Sequence, residues 1–434
     1  MDSFAFSVLF IVFLSLSLGC RFWLASRQIR HVQQHRNAVP PQFAEKITLE
    51  SHQKAADYTV AKAKLGLIDL FMGAAVLLAL TLFGGLQWLS AHLIPLLGVG
   101  MSYQIGLLVS FTVITSLIDL PLDYYRQFVL EEKFGFNKMS VRLYFTDMIK
   151  NTLIGAVIGL PLCWIVLKLM GSAGDLWWLY AWLVWSGFQL LMMVLYPTFI
   201  APLFNKFKPL EDDSLKNRIE GLMQRTGFAS KGLFIMDGSK RSAHGNAYFS
   251  GFGASKRIVF FDTLIERLAP QEIEAVLAHE LGHFKKKHII KRIALIFILS
   301  LGFLALLGYL KQQIWFYTGL GVEPIIIGNG SSNDAMALLL FMLTLPLFTF
   351  FFSPISAISS RKHEFEADEF AAHHTNANDL VSALVKMYDD NASTLTPDPL
   401  HSTFYDSHPS ASVRIAHLKQ QLSLSINSGT QQHA

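Results

Sequence analysis

The sequence predicts an all-α membrane protein, with seven transmembrane helices and a small α+β domain on the cytosolic side. Charge is the first observation behind this. Only 16% of the 434 residues are charged and 52% are hydrophobic, whereas soluble domains carry about 25% charged residues. Second, seven apolar segments reach the roughly 20 residues a helix needs to cross the hydrocarbon. Third, Lys and Arg collect in alternate connections, as they do on the cytosolic side of a membrane. This composition excludes a disordered chain and a wholly soluble one. A formal charge of +4 is too small to point to nucleic acid. Cys20 and Cys163, both in apolar runs, offer neither a disulfide framework nor a cysteine metal site.

The spans fall near 4–26, 65–90, 96–121, 151–171, 176–201, 289–310 and 336–359. Asp2 stands where a signal peptide would carry its basic n-region, and Ser17 is a poor start for a lipoprotein site at Leu18-Gly19-Cys20. The first span is therefore read as retained. The connection after it holds Arg27, Arg30, Arg36, Lys46, Lys54, Lys62 and Lys64, and the one after span three holds Arg126, Lys133, Lys138, Arg142 and Lys150. The intervening connections, around Ala91-His92-Leu93 and at Gly171–Gly174, carry no Lys or Arg, and the last outer loop holds only Lys311. The N-terminus is thus expected outside and the C-terminus in the cytosol.

The chain divides into 1–201 (spans one to five with basic loops), 202–288 (a cytosolic domain), 289–359 (spans six and seven) and 360–434 (the rest of that domain). Within 202–288, Leu215, Ile219 and Leu222 have helical spacing. Gly232–Met236 and Arg257–Phe261 read as strands, and Asn246–Phe252 as a short one. In the membrane, Pro346 and Pro354 should kink span seven, and Trp177, Trp178 and Trp182 read as interfacial anchors. Asp69 and Asp119 lie within spans, a costly place for a carboxylate unless it faces protein or water. No catalytic role is assigned to them.

A helix opening at Pro270-Gln271-Glu272 carries His279, Glu280 and His283. Histidines four apart share a helix face and can bind one ion. Glu280 can then reach a water in the open position of that ion. This is the H-E-x-x-H pattern of zinc peptidases, in which the metal acidifies the water and the Glu removes its proton. By composition, a chance occurrence is on the order of one in a hundred. One zinc ion per chain is expected. Two solvated histidines on a polar face are the alternative, disfavoured because the helix is apolar on both sides of the motif. His288 reads as an interfacial residue rather than a ligand.

A catalytic zinc takes three protein ligands. The segment leaving span seven on the same side holds His363, Glu364, Glu366 and Asp368. Glu364 and Asp368 share a face, so Glu364 reads as the third ligand and Asp368 as an acceptor from a ligand imidazole. Glu366 points elsewhere. His363 is the alternative ligand, His373-His374 reads as a solvated pair, and a solvated acidic turn is the plainer reading of the whole segment.

The sequence resembles the Ste24-type CAAX prenyl proteases, integral membrane zinc metallopeptidases of the M48 group. The resemblance rests on Glu131–Lys138 (EEKFGFNK), Ala201–Phe207, Asp237–Ser242 with Asn246–Phe249, Lys256–Leu264, His279–His283, Ser360–Asp368, and His408-Pro409 with Arg414. It covers roughly residues 60 to 420. It implies seven helices around a large water-filled chamber, closed at one end by a gluzincin-like α+β metalloprotease domain. It also implies a substrate strand paired with Asn246, Ala247, Tyr248 and Phe249, as in β-augmentation. Asn246 and His408 match residues near the substrate carbonyl, and Arg414 matches a basic position beside the site. Taken alone, these three read as a turn Asn, a surface His and a surface Arg. Ala243, Gly245 and the loose Gly251–Ala254 segment depart from the family pattern, which touches peptide preference rather than metal chemistry.

The implied activity is cleavage near the C-terminus of a peptide or membrane protein, prenylated substrates included, with the bilayer as partner and no nucleic acid. A broad-specificity quality-control protease without a prenyl requirement is the alternative. A scaffold with structural zinc and a carboxylate-lined transporter are the rivals outside proteolysis. The terminal Gln-Gln-His-Ala carries no endoplasmic-reticulum retrieval signal, and the acidic insertions expected of eukaryotic relatives are absent. Both favour a bacterial inner membrane over the endoplasmic reticulum.

Overall fold

The computed structural model describes residues 1–228, 232–250, 257–325 and 333–431, without the side chains of 249, 250 and 422–431. The helices are α1 (Ser3–Gln34), α2 (Leu49–Leu80), α3 (Gly85–Leu97), α4 (Met101–Tyr125), α5 (Val141–Ser172), α6 (Trp177–Leu195), α7 (Asp213–Thr226), α8 (Asp262–Arg267), α9 (Pro270–Lys285), α10 (His288–Leu310), α11 (Ile314–Thr318), α12 (Asp334–Thr349), α13 (Ser353–His374), α14 (Ala377–Asp390), α15 (Pro399–Tyr405) and α16 (Ala411–Gln431). The strands are β1 (Phe207–Pro209), β2 (Leu233–Met236), β3 (Ala247–Ser250) and β4 (Arg257–Phe261).

Seven helical segments are long and apolar enough to span a membrane: Ser3–Gln34, Leu49–Leu80, Met101–Glu131, Val141–Ser172, Gly174–Leu203, His288–Leu310 and Asp334–His374. In the third through sixth, only 6–11% of the most apolar window is buried. A close-packed bundle would bury a stripe along every helix. Such low burial is what a ring around an open chamber gives. Apolar packing concentrates instead at one end, where Phe10, Leu86, Leu107, Leu167, Trp177, Leu307, Phe316 and Leu340 form one core.

Two membrane expectations are corrected and a third is refined. The second span ends at Leu80 rather than near 90. Gly84, at φ +77°, starts a separate helix, α3, and Gly98, at φ +72°, ends it. Ala91-His92-Leu93 therefore lies inside a helix and is not the connection. Both flanks are uniformly apolar, so hydropathy cannot locate a break that two left-handed glycines make. Trp177 is buried, with the Lys311 ammonium 4.9 Å from its ring centroid. Trp182 donates to the Phe297 carbonyl. Both tie helices together rather than meeting an interface. In span seven, α12 gives way to a 3₁₀ turn at Phe350–Phe352 before α13, with Pro354 in the first turn of α13; Pro354 has no N–H to continue the earlier helix.

Lys311, in the connection after α10, pairs with buried Asp334 at 2.9 Å. Asp69 pairs with Arg126 at 3.0 Å, and Arg126 also meets Asp123. Asp119 is exposed.

The domain outside the spans has a four-stranded sheet in the order β1-β2-β4-β3. β1 and β3 are antiparallel to their neighbours, and β2 and β4 are parallel. Ile258, Phe260, Leu233 and Ala247 face a core shared with α7, α9, α14 and α16. Arg241 anchors the domain to span four through Asp147 (2.8 Å) and to Asn205 (2.9 Å). Asp398 does so to span one through Arg27 (2.9 Å).

Candidate metallopeptidase site

Pro270 occupies the first turn of α9, where its missing N–H costs nothing. Glu272 accepts from the Ala269 N–H (2.7 Å) and from Lys386 (2.7 Å), which fixes the start of the helix. Ile273, Ala275, Leu277, Ala278 and Leu281 are buried in the domain core. The H-E-x-x-H residues are left on the side turned toward α13.

The approach of α13 depends on Gly282. A Cβ at Gly282 would lie 2.8 Å from the Ala367 Cα and 3.1 Å from its carbonyl oxygen, well inside van der Waals contact. With glycine at 282 and a fully buried Ala367, the two backbones come close enough for Glu364 to reach both histidines.

The three expected ligands meet. His279 Nε2 is 3.3 Å from His283 Nε2 and 3.4 Å from Glu364 Oε2, and His283 Nε2 is 3.4 Å from Glu364 Oε1. Zinc bonds of about 2.0–2.1 Å at the tetrahedral angle need donor atoms about 3.3–3.4 Å apart. Glu364 turns one oxygen toward each ring. Its Oε2 is buried without a hydrogen-bond partner, with Arg414 Nη1 3.6 Å away, a state that a closer cation relieves. By spacing and donor type, the set fits a zinc ion. Among the described residues, it is the group of His, Cys, Asp or Glu so arranged. Glu280 follows His279 on the helix and is half-buried.

Asp368 and Arg414 complete the buried side. Asp368 Oδ1 lies 2.8 Å from His279 Nδ1, and Arg414 binds the same carboxylate through Nε (2.9 Å) and Nη2. Burial acts to lower the His279 pKa, but the Asp368 and Glu364 carboxylates beside the ring outweigh it and hold it up to about 9. Burial likewise opposes the Arg414 charge, and Asp368 more than offsets it.

His408 is 60% exposed yet has Nε2 3.4 Å from Glu364 Oε1, so it stands on the open side of the cluster. Its loop is held by Arg361, which donates to the carbonyls of Ser402 and Asp406 at 2.9 Å each.

Asn246 is exposed at the head of β3, and its side-chain oxygen accepts from the Ala247 N–H (2.8 Å). Ala247, Tyr248 and the Phe249 backbone follow in β3, which pairs with β4 on one side; its other edge is unpaired among the described residues. The Phe249 side chain and the Gly251–Ala254 segment lie outside the described residues. Tyr248 also lines a cavity of about 500 Å³ with Lys206, Lys208, Phe234 and Arg257, apart from the metal ligands.

The Glu131–Lys138 segment docks onto the loop that leads into β3. Phe136 stacks on His244 at 4.4 Å, Ala243 N–H donates to the Phe136 carbonyl, and Asn137 bridges to Ser242. Tyr58 holds Glu131 at 2.6 Å. Ala243, one of the departures from the family pattern, and its neighbour His244 are thus built into this contact.

Sequence reasoning missed Gly282, Arg361 and the pairing of His288 with Glu366. His288 is 4% exposed and touches His283, so the interfacial reading is corrected. A histidine five residues past a ligand was the available signal. Glu366 does point away from the cluster, as expected, but toward His288.

A histidine pair on one helix, a carboxylate on a second helix packed against it, and a helix ring in the membrane define an integral membrane metallopeptidase. Residues 28–206 match the family described as "CAAX prenyl protease N-terminal, five membrane helices", and residues 209–422 match peptidase family M48. The chain belongs to the CAAX prenyl protease 1, or Ste24, family of M48 peptidases. It is 35% identical to CAAX prenyl protease 1 of Saccharomyces cerevisiae over 426 residues (91% of each chain) and 32% identical to the Homo sapiens homolog (92% of each). The crystal structure of S. mikatae Ste24p superposes with a TM-score of 0.88 at 33% identity, covering 95% of this chain and 99% of that one. These relatives are eukaryotic and lend no support to the expected bacterial origin.

Proposed function

We propose that this membrane metallopeptidase is a zinc endopeptidase that cleaves near the C-terminus of extended substrates, prenylated CAAX-type chains included. The reading is carried by the mutual spacing of His279 Nε2, His283 Nε2 and the Glu364 carboxylate, 3.3–3.4 Å, which suits one tetrahedral ion. The relatives' names supply the CAAX substrate class.

Bound there, zinc would supply Lewis acidity to the scissile carbonyl and lower the pKa of a water. Glu280 takes the proton from that water and delivers it to the departing amine. The exposed ring of His408 and the amide of Asn246 hydrogen-bond the developing oxyanion. Asp368 and Arg414 orient His279. The edge of β3 that is unpaired among the described residues, with Asn246 at its head, receives the substrate as an added strand, whose backbone groups pair irrespective of side chains. The domain division at 201/202, 288/289 and 359/360, with the catalytic unit split around spans six and seven, suits this scheme. So does an N-terminus outside and a cytosolic C-terminus, on the distribution of Lys and Arg.

The test is cleavage of matched peptides with and without a farnesyl group by detergent-purified protein, with zinc determined by elemental analysis. Zinc near one ion per chain and faster cleavage of the farnesylated peptide are expected. Equal rates would remove prenyl recognition from the proposal.

A further inference from the structure

The two ligand imidazoles are braced differently. His279 Nδ1 meets the Asp368 carboxylate directly, at 2.8 Å. His283 Nδ1 instead lies 3.1 Å from His288 Nδ1, and His288 Nε2 lies 2.9 Å from Glu366 Oε2. His288 is the first residue of α10, set there by Lys287 in a left-handed conformation (φ +57°). Its ring is buried and stacks on His363 at 4.0 Å with planes 14° apart.

We propose that His288 and Glu366 are positioning residues that fix the tautomer and orientation of His283 as a metal ligand, through a directional chain of two hydrogen bonds. This rests on the reading of His283 as a ligand. A neutral imidazole whose Nε2 lone pair serves a metal carries its hydrogen on Nδ1. That N–H must donate, so His288 Nδ1 must accept, and the His288 hydrogen then sits on Nε2. There it donates to the Glu366 carboxylate, which can only accept when ionised. Each atom in the chain has one role consistent with its neighbour's. Glu366 lies two residues from Glu364, about 200° round α13, and cannot face the ligand cluster itself. His288 bridges the gap. Partners of this kind raise ligand basicity, and their loss typically weakens metal binding 10–100-fold. The arrangement also ties the metal site to the first turn of span six.

The experiment measures zinc affinity of the full-length, detergent-purified protein by competition with a chromogenic chelator. Thermal unfolding of the metal-free form is followed in parallel. His288→Phe is expected to weaken zinc about 10–100-fold. His288→Asn, whose amide oxygen can stand where Nδ1 was, is expected to recover most of the loss, which a merely space-filling histidine would not predict. Glu366→Ala tests the far end on a partly exposed side chain, and is expected to weaken zinc while leaving the metal-free unfolding midpoint unchanged. Wild-type affinity in either Glu366→Ala or a folded His288→Phe would overturn the proposal, as would His288→Asn no better than Phe. If His288→Phe does not fold, Glu366→Ala decides. His283→Ala is the control: retained zinc there would refute the ligand reading itself, whereas lost zinc there with unaffected His288 and Glu366 variants would refute only the positioning chain.

Discussion

Asp368 stands between His279 and Arg414: its Oδ1 lies 2.8 Å from the His279 Nδ1, and the guanidinium grips both of its oxygens. All three side chains are at most 8% exposed. A buried carboxylate is tolerable here because a charged fork neutralises it, and that fork leaves one face of Asp368 for the imidazole.

Removing the fork should therefore be costly. Arg414→Leu leaves Asp368 buried and unpaired, and is expected to destabilise the domain by about 3–5 kcal/mol. Arg414→Lys should recover only part, since an ammonium cannot make the two parallel bonds. Thermal unfolding of the purified variants measures this, and an unchanged midpoint for Arg414→Leu would show that the pair contributes nothing.

Glu280→Gln preserves the size of the side chain and removes the base. Zinc content should stay at the wild-type level while kcat falls about 10²–10⁴-fold, the range for a general acid–base group. Elemental analysis alongside peptide cleavage separates the two effects. Loss of zinc, or cleavage at the normal rate, would contradict the assigned role.

Gly282→Ala places a methyl 2.8 Å from the Ala367 Cα. Backbone on both sides cannot move aside cheaply, so overpacking should cost about 1–3 kcal/mol. Because the strain separates α9 from α13, zinc affinity should fall with it. Chelator competition would reveal a wild-type affinity if the close approach were irrelevant to the site.

The metal-free and zinc-loaded forms should respond oppositely to pH. The His279 pKa is held up to about 9 by Asp368 and Glu364, above the ordinary value near 6.5. A raised pKa contributes stability that is complete below about 6.5 and is lost as pH rises through about 9. The chelated protein should therefore melt at progressively lower temperature across that interval. Zinc must displace the same proton, so its affinity should rise over the interval instead. Parallel melting curves from pH 6 to 9.5 test both, and a flat profile for the chelated form would exclude a raised His279.

Much of the site was legible in the sequence. The four-residue spacing of His279 and His283 puts two rings on one helix face wherever that helix lies. Glu364 and Asp368 share a face by the same rule, and Asp368 meets the His279 ring. The sheet was legible too: Arg257–Phe261 forms the expected strand, with Ile258, Val259 and Phe260 all buried, and Asn246–Phe249 falls where the edge strand begins. What periodicity cannot supply is which faces meet. Glu366 was correctly turned away from the cluster, but its partner, His288, lies 78 residues away in sequence and reaches it only through the left-handed turn at Lys287.

The sequence by itself determined the number of spans, the expected sidedness of the charges and the chemistry of the donor set, because hydropathy, charge and helical spacing are local properties. Tertiary structure decided where the helices break, since apolar runs on either side of Gly84 look alike to a hydropathy scale. It also decided how closely α9 and α13 approach, which depends on a missing Cβ at Gly282 meeting a small Ala367. And it decided what lies behind each histidine of the motif: a carboxylate for His279, a second histidine for His283. Those are facts about distance between remote segments, and packing alone sets them.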